Sequence, residues 1–189
     1  VIPICADFTA PLLIPESQLP RGRRVVFFPG STIGNFTPEQ AVSCLKGMVK
    51  LCQEDGGVLI GVDLDKDPRV LKPAYDDTEG VTAAFNLNIL KRINRELDAD
   101  FDLDAFEHVA VHNRSRYRME MHLRSTARQD VTINGDRIRF REGETIHTES
   151  SHKFTLARFE EMSAESGLRV EQVWTDDRDW FSVQYLTVE

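Results

Sequence analysis

The sequence FFPGSTIGN occupies residues 27–35 and sets the architecture around which the chain is organised. The apolar run at residues 25–28 predicts a short buried strand, and the glycines and small hydroxyl residues that follow it predict a tight loop. Behind the loop, Thr37 and Gln40 form a capping-box pattern with Pro38 as the first helical residue. A strand, a turn and a helix in this order indicate an open α/β sheet.

The loop at residues 29–35 is also a candidate ligand site, because ligands of open parallel sheets bind beyond the carboxyl ends of the strands. Gly30 and Gly34 have two interpretations that the loop alone does not separate: they form the turn, or they admit a ligand. Asn35 adds a side-chain amide with a donor and an acceptor, which suits the amino and carboxylate groups of an amino acid.

Several further segments share one family pattern with this loop. They are AYDD at residues 74–77, GVTAAFN at 80–86, DFD at 100–102 and TESSHKF at 148–154. With FFPGSTIGN they resemble the histidine N-alpha-methyltransferases of ergothioneine biosynthesis, and the resemblance extends over nearly the whole chain. It implies a Rossmann-like class I methyltransferase sheet. It also implies S-adenosylmethionine as cofactor and the conversion of histidine to its trimethyl betaine, hercynine.

The resemblance also assigns site residues. It implies that the cofactor is bound by Asp7, Phe8, Gly30 and Thr32, with Asp7 on the adenine amine and Phe8 packed on the ring. It implies substrate-binding roles for Asn35, Tyr75, Met121, Glu149 and Ser151, of which Asn35 and Tyr75 are also catalytic because they orient the reacting amine. Without the resemblance, Asp7 is interpreted as the cap of a turn. Met119, two residues before Met121, is interpreted as a core residue.

Glu149 and Ser151 lie two residues apart, so in an extended segment their side chains point to the same side. A carboxylate and a hydroxyl on one side can hold the two nitrogens of an imidazole. The alternative is a solvated strand, and the resemblance favours the imidazole site. The predicted mechanism is a direct displacement, in which the free amine attacks the sulfonium methyl group in line and the enzyme supplies position.

A domain junction is predicted near residue 66. Residues 1–65 and 153–189 form the methyltransferase domain, and residues 66–152 form an inserted antiparallel α+β domain. Before the junction, the apolar run at 58–62 predicts a strand buried on both faces. Asp63, Asp65 and Asp67 follow it, but the glycine and closing glutamate of a calcium loop are missing, so a solvated strand exit is expected.

In the inserted domain, we predict a helix over about 82–97 with Phe85, Ile89, Ile93 and Leu97 facing inward, and Tyr75 in the loop before it. A strand is expected over 117–124, and Asn134-Gly135-Asp136 predicts a hairpin turn. After the insertion, Thr155 should cap a helix. The strands at 168–174 and 180–188 are joined too closely for a parallel crossover, so the last strand must run antiparallel to its neighbour.

Composition restricts the partners. The net charge of -8 argues against nucleic acid and anionic membranes, and no apolar run reaches the length of a membrane span. The 3 cysteines form no paired motif, which predicts reduced thiols in a cytoplasmic protein without a structural metal. The 5 histidines show no ligand spacing and are interpreted as surface or strand residues.

One part of the class I pattern is missing. That fold binds its cofactor through a glycine-rich loop after the first strand and an acid after the second, and nothing of this kind precedes Val1. In the strand order 3-2-1-4-5-7-6, residues 1–8 would be the third strand and 24–28 the fourth, and residues 10–23 would be a surface loop. We therefore expect the carboxyl-terminal part of a longer chain, inactive by itself and prone to self-association, whereas the complete protein is a monomer.

Two other functions stay open at this point. One is a non-catalytic binding or assembly module that kept the fold and lost the chemistry. The other is a methyltransferase that acts on a different amino acid.

Overall fold

The computed structural model describes residues 1–10, 14, 19 and 22–189, so most of the loop predicted at residues 10–23, including Pro11, Pro15 and Pro20, lies outside the described residues. The chain divides into two compact units, Val1–Asp65 with Lys153–Glu189, and Lys66–His152. In chain order the elements are β1 Val25–Phe28, α1 Pro38–Cys52, β2 Gly57–Asp63, α2 Pro68–Tyr75, α3 Val81–Glu96, β3 Phe106–Asn113, β4 Arg118–Ser125, β5 Gln129–Ile133, β6 Asp136–Phe140, β7 Thr145–His152, α4 Leu156–Glu165, β8 Leu168–Thr175 and β9 Phe181–Val188. None of the described helices is both long enough and apolar enough to cross a bilayer.

The first unit is built on a 4-stranded sheet with the order β1-β2-β9-β8. β1 and β2 are parallel, whereas β9 is antiparallel to both β2 and β8. The antiparallel last strand is therefore confirmed, and it lies between its two neighbours as the class I order requires. α1 and α4 contribute to the core of this unit, whose buried side chains include Ile33, Leu45, Ile60 and Phe159.

The helix behind the loop begins as its sequence predicts. Thr37 Oγ1 accepts a hydrogen bond from the Gln40 amide at 3.3 Å, and Gln40 Oε1 accepts one from the Thr37 amide at 2.9 Å. The capping box is thus complete, with Pro38 at the first helical position. The helix ends at Cys52, because the next residue, Gln53, has a positive φ of 62° and leaves the helical conformation.

The strand expected over residues 1–8 is not formed. Residues 1–7 have no regular structure, and Ile2 and Ile4 are 63% and 52% exposed. An extended segment becomes a strand only when a neighbour completes its hydrogen bonds. Within the part of the chain that is described, β1 pairs with β2 alone, so the apolar character of residues 1–8 is not sufficient to make a strand.

The second unit contains a 3-stranded antiparallel sheet of order β3-β4-β7 and a separate hairpin of β5 and β6. The hairpin turn is confirmed: Asn134 and Gly135 have φ values of 49° and 88°, the two positive angles that a type I′ turn requires. The core of this unit is formed by Leu90, Phe101, Phe106, Leu123, Val131 and Phe140.

Two predictions for the helices of this unit are wrong. Tyr75 is the last residue of α2 and not part of a loop; Pro68 occupies the first helical position, where its missing amide hydrogen is not needed, and Pro73 lies inside the helix. In α3, Phe85 is 64% exposed, while Asn86 and Leu90 are buried. The helix is therefore rotated from the expected face, because the amide of Asn86 makes hydrogen bonds with β3 and β4.

Candidate functional site

The glycine loop is fixed at the carboxyl ends of β1 and β2. Gly30 and Ser31 have φ values of 71° and 56°, which turn the chain sharply after β1. Ser31 Oγ accepts a hydrogen bond from the Asp63 amide at the end of β2, at 2.9 Å. A Cβ on Gly61 of β2 would lie 3.1 Å from the Gly30 nitrogen, so the small residue permits this close approach. The loop is thereby held against the edge of the sheet where ligands are expected.

The outer side of this loop is open. Among the described residues, no atom lies within 4 Å of the position that a Cβ of Gly30 would take. Thr32 and Asn35 belong to a short 3-10 turn, in which Thr32 Oγ1 donates to the Pro29 carbonyl at 3.2 Å and the Asn35 side chain is exposed. A ligand can therefore approach the backbone at Gly30 and the amide of Asn35.

Asp7 and Phe8 lie in the same unit. The Oδ1 atom of Asp7 accepts hydrogen bonds from the amide and hydroxyl of Thr9, at 2.9 Å and 2.6 Å. These bonds hold the pKa of the Asp7 carboxyl below its usual value, the side-chain bond having the larger effect. The turn cap, considered as the alternative, is thus the arrangement present.

The ring of Phe8 packs edge-on against Phe28 and Phe36, with centroid distances of 5.9 Å and 6.1 Å. It also lines an apolar groove of about 380 Å³ between β1 and α1, together with Val26, Phe28, Cys44, Gly47 and Met48. That volume is within the range of small-molecule sites.

The carboxylates after β2 are not a uniformly solvated strand exit. Asp63 Oδ2 accepts a hydrogen bond from Lys153 Nζ at 2.6 Å, and the Lys153 side chain is 1% exposed. Asp67 instead caps α2, since its Oδ1 accepts from the Arg69 amide at 2.8 Å. Hydrogen bonding from the Arg69 side chain, more than any other contact, lowers the pKa of Asp67 to about 2. Of the three carboxylates, only Asp65 is exposed and has no side-chain hydrogen bond to another described residue. The expected solvated strand exit is therefore wrong for Asp63 and Asp67.

In the second unit, folding brings four of the predicted substrate residues together. Met121 lies directly opposite Glu149 in the β4–β7 pair, and Met119 lies opposite Ser151, so these side chains share one face of the sheet. The hydroxyl of Tyr75, at the end of α2, lies 2.8 Å from Ser151 Oγ. The buried Met121 and the half-buried Glu149, Ser151 and Tyr75 thus come from α2, β4 and β7.

A β-bulge gives β7 its local geometry. The register shifts between Met121 and His122, because His122 pairs with His147 and leaves Thr148 as the additional residue. Thr148 Oγ1 donates to the Met121 carbonyl at 2.9 Å. The bulge therefore lies immediately before Glu149 and helps to set the direction of its side chain.

A cluster that sequence analysis missed lies on the other face of β4. Glu120 accepts hydrogen bonds from Arg118 Nε at 2.7 Å and Asn113 Nδ2 at 2.9 Å, and its Oε2 lies 3.2 Å from His122 Nε2. Burial acts to raise the pKa of Glu120, but the bonds from Arg118, His122 and Asn113 together lower it to about 2. The alternating Arg-x-Glu-x-His pattern of β4 is the sequence signal that could have found this cluster.

Glu120, His122 and His147 each offer one possible ligand atom, and these atoms lie within 4.8 Å of one another. However, the rings of His122 and His147 stack with an interplanar angle of 17° and centroids 4.7 Å apart. An ion binds imidazole in the plane of the ring, and two stacked, nearly parallel rings do not share such a point. The arrangement fits a hydrogen-bonded network, and both histidines are strand residues, as expected from the sequence.

Comparison with known proteins finds similar sequences over almost the whole chain. A family model described as "Histidine-specific methyltransferase, SAM-dependent" matches residues 1–188. The histidine N-alpha-methyltransferase of Mycolicibacterium smegmatis is 46% identical over 176 residues, which cover 92% of this chain and 54% of that protein. The enzyme of the same name from Mycobacterium tuberculosis is 42% identical over 183 residues, which cover 95% of this chain and 56% of that protein. The chain thus spans about half the length of these curated relatives.

Among solved structures, the CcbJ methyltransferase of Streptomyces caelestis superposes with a TM-score of 0.51 at 14% identity, covering 99% of this chain and 63% of that one. At this identity the likeness concerns the fold alone. The class I methyltransferase fold is therefore confirmed, in agreement with the strand order and the antiparallel last strand.

Proposed function

Because the chain belongs to the family of histidine-specific, S-adenosylmethionine-dependent methyltransferases, we propose that the complete protein methylates the α-amino group of histidine to give hercynine. This reaction would be the first step of ergothioneine biosynthesis. The observation that carries the proposal is the assembly of Tyr75, Met121, Glu149 and Ser151 from three elements into one half-buried group.

The hydrogen bonds of this group suit a neutral imidazole. A hydroxyl donates one hydrogen bond and can accept others. When the Tyr75 hydroxyl donates to Ser151 Oγ, the Ser151 hydroxyl can donate its own hydrogen bond to the unprotonated ring nitrogen. The Glu149 carboxylate then accepts from the protonated ring nitrogen, and the buried Met121 opposite it offers an apolar contact for the ring. A side chain with two nitrogens at this spacing satisfies both polar groups, which favours histidine over other amino acids.

Asn35 is assigned to the amino and carboxylate groups of the substrate, and Tyr75, whose hydroxyl hydrogen goes to Ser151, is assigned to the amino group as an acceptor. Bound S-adenosylmethionine supplies an electrophilic methyl group, and the amine must reach it as a free base with its lone pair directed at the carbon. The Asn35 amide can accept from the amine through its oxygen and donate to the carboxylate through its nitrogen. Orientation of this kind accounts for a large part of the rate of a displacement reaction.

The residues proposed for the cofactor fit part of it. The open backbone at Gly30 and the neighbouring Thr32 are suited to a close polar approach, and Phe8 offers an aromatic surface for the adenine. Both hydrogen bonds of Asp7 go to Oδ1, which leaves Oδ2 able to accept from an exocyclic amine. This supports a division of roles in which the first unit is the methyltransferase domain, with Asn35 as its substrate residue, and the second unit binds the imidazole ring. We further infer a monomeric, cytoplasmic enzyme acting on a small molecule, consistent with the net charge of -8.

Glu149→Ala in the complete protein tests the proposal. It removes one charge-assisted hydrogen bond worth about 1.5 to 3 kcal/mol, so histidine affinity should fall by roughly 10- to 100-fold while cofactor affinity stays nearly unchanged. Calorimetric titration of each ligand measures both quantities. Glu142→Ala, an exposed carboxylate in the turn before β7, is the control and should change neither.

Two outcomes would contradict the proposal. Equal losses of affinity for histidine and cofactor would make Glu149 a structural residue. If a panel of the 20 common amino acids contained a better methyl acceptor than histidine, the enzyme would belong to the alternative substrate class.

A further inference from the structure

Asn86 is a fully buried amide on α3 that the proposed chemistry does not use. Its Nδ2 atom lies 3.2 Å from the backbone carbonyl oxygen of His122 and 3.0 Å from Nδ1 of His108. A carbonyl oxygen can only accept, so the amide atom that faces it must be the nitrogen. The two hydrogens of Nδ2 are therefore both donated, one to β4 and one to the ring of His108.

This donation fixes the protonation pattern of His108. Because Nδ1 accepts from Asn86, it carries no hydrogen, and the neutral ring has its hydrogen on Nε2. Nε2 lies 2.7 Å from the backbone carbonyl oxygen of Tyr75 and donates to it. Asn86, His108 and Tyr75 thus form a directed chain of hydrogen bonds from α3 through β3 to the end of α2.

This chain of hydrogen bonds ends on the backbone carbonyl of Tyr75. Tyr75 is the last residue of α2, and the final carbonyls of a helix have no amide of the same helix to accept from. His108 therefore caps α2 through the carbonyl of Tyr75. At its other end, the same residue places its hydroxyl 2.8 Å from Ser151 Oγ.

We propose that Asn86 and His108 are positioning residues for the methylation reaction, because they fix the main chain of Tyr75 so that its hydroxyl reaches Ser151. This inference rests on the proposed function, since the position of Tyr75 matters only if Tyr75 and Ser151 hold the substrate. The two residues act through Tyr75 and need no contact with histidine.

His108→Leu in the complete protein removes the donor to Tyr75, and His108→Gln replaces it, because a glutamine amide reaches the position of Nε2. We expect His108→Leu to lower kcat/KM for histidine about fivefold, the value of one neutral hydrogen bond, with cofactor affinity unchanged. His108→Gln should recover most of the loss. His112→Leu, four residues further along β3, is the matched control and should have little effect.

A second background separates positioning from general destabilisation. In a Tyr75→Phe protein the hydroxyl is already absent, so adding His108→Leu should cause no further loss of kcat/KM for histidine. A further fivefold loss in that background would overturn the proposal, because His108 would then act by another route. A full loss of activity in His108→Gln with the fold retained would overturn it as well.

The protonation of His108 can be measured independently of activity. A long-range proton–nitrogen NMR spectrum of the complete protein with labelled histidine should show the hydrogen on Nε2 and none on Nδ1. Asn86→Ala should abolish this preference. A hydrogen on Nδ1 in the wild-type protein would refute the chain of bonds. If the enzyme instead failed to methylate histidine while His108 showed the expected pattern, the proposed function would fail and the hydrogen-bond chain would stand.

Discussion

The ion pair of Lys153 and Asp63 should respond asymmetrically to the loss of either partner. The Lys153 side chain is 1% exposed and that of Asp63 is 22% exposed, with Nζ and Oδ2 2.6 Å apart. Asp63→Asn removes the carboxylate beside an ammonium that has almost no access to water. Lys153→Met removes the ammonium, keeps a side chain of similar length, and leaves a carboxylate that still reaches solvent.

The magnitudes follow from this difference in exposure. Removal of one partner of a buried pair costs about 3 to 5 kcal/mol in the free energy of unfolding, and we expect Asp63→Asn to lie in this range. Partial hydration of Asp63 should reduce the cost of Lys153→Met to roughly 1 to 3 kcal/mol. The double variant should be more stable than Asp63→Asn alone, because its apolar side chain needs no charged partner.

Urea unfolding of the complete protein measures these values, with Lys91→Met on the exposed side of α3 as the control. The control should change the free energy of unfolding by less than about 0.5 kcal/mol. If Lys153→Met cost more than Asp63→Asn, or if both matched the control, the argument from burial would be refuted.

Three further predictions concern the loop, the substrate and the acid stability. Asn35→Ala should lower turnover as well as histidine affinity, because it removes the group that orients the reacting amine. Asn35→Asp should also lose activity, because its charge repels the substrate carboxylate. Steady-state kinetics would contradict this role if either variant kept near-normal turnover. Gly30→Ala should lower the thermal midpoint of unfolding, at a cost of about 1 kcal/mol, because φ is 71° at this position. A Cβ at Gly30 would meet no described atom, so the backbone angle alone causes the loss. Gly47→Ala inside α1 has equal space and no positive φ, and it should raise the midpoint. Since the pKa of Glu120 is lowered to about 2 from its usual value of 4.5, its contribution to stability is present above pH 4.5 and is lost as the pH falls toward 2. Glu120→Gln should therefore reduce the loss of unfolding free energy between pH 4.5 and pH 2. Urea unfolding over this pH range measures the loss, with the exposed Glu107→Gln as control. If Glu120→Gln lost as much stability as the wild-type protein, this account would be wrong.

Features that depend only on residues close together in the chain could be predicted from the sequence. The capping box of Thr37 and Gln40 and the turn at Asn134 and Gly135 form as predicted, because their hydrogen bonds and backbone angles involve only a few adjacent residues. The short link before β9 likewise required an antiparallel last strand. The candidate site residues came from the family resemblance, since a Glu and a Ser two residues apart do not specify a ligand by themselves.

Tertiary structure alone decided how the polar groups are paired. The sequence determined that α3 is a helix, but its apolar stripe did not reveal that Asn86 points inward, because the acceptors that draw it there lie on β3 and β4. The sequence placed Lys153 in the TESSHKF segment that resembles the family. It did not show that Lys153 is buried and paired with Asp63, 90 residues earlier. Periodicity records which side chains are apolar, whereas a buried polar group is stabilised by one partner at one distance, and for these residues that partner is distant in sequence.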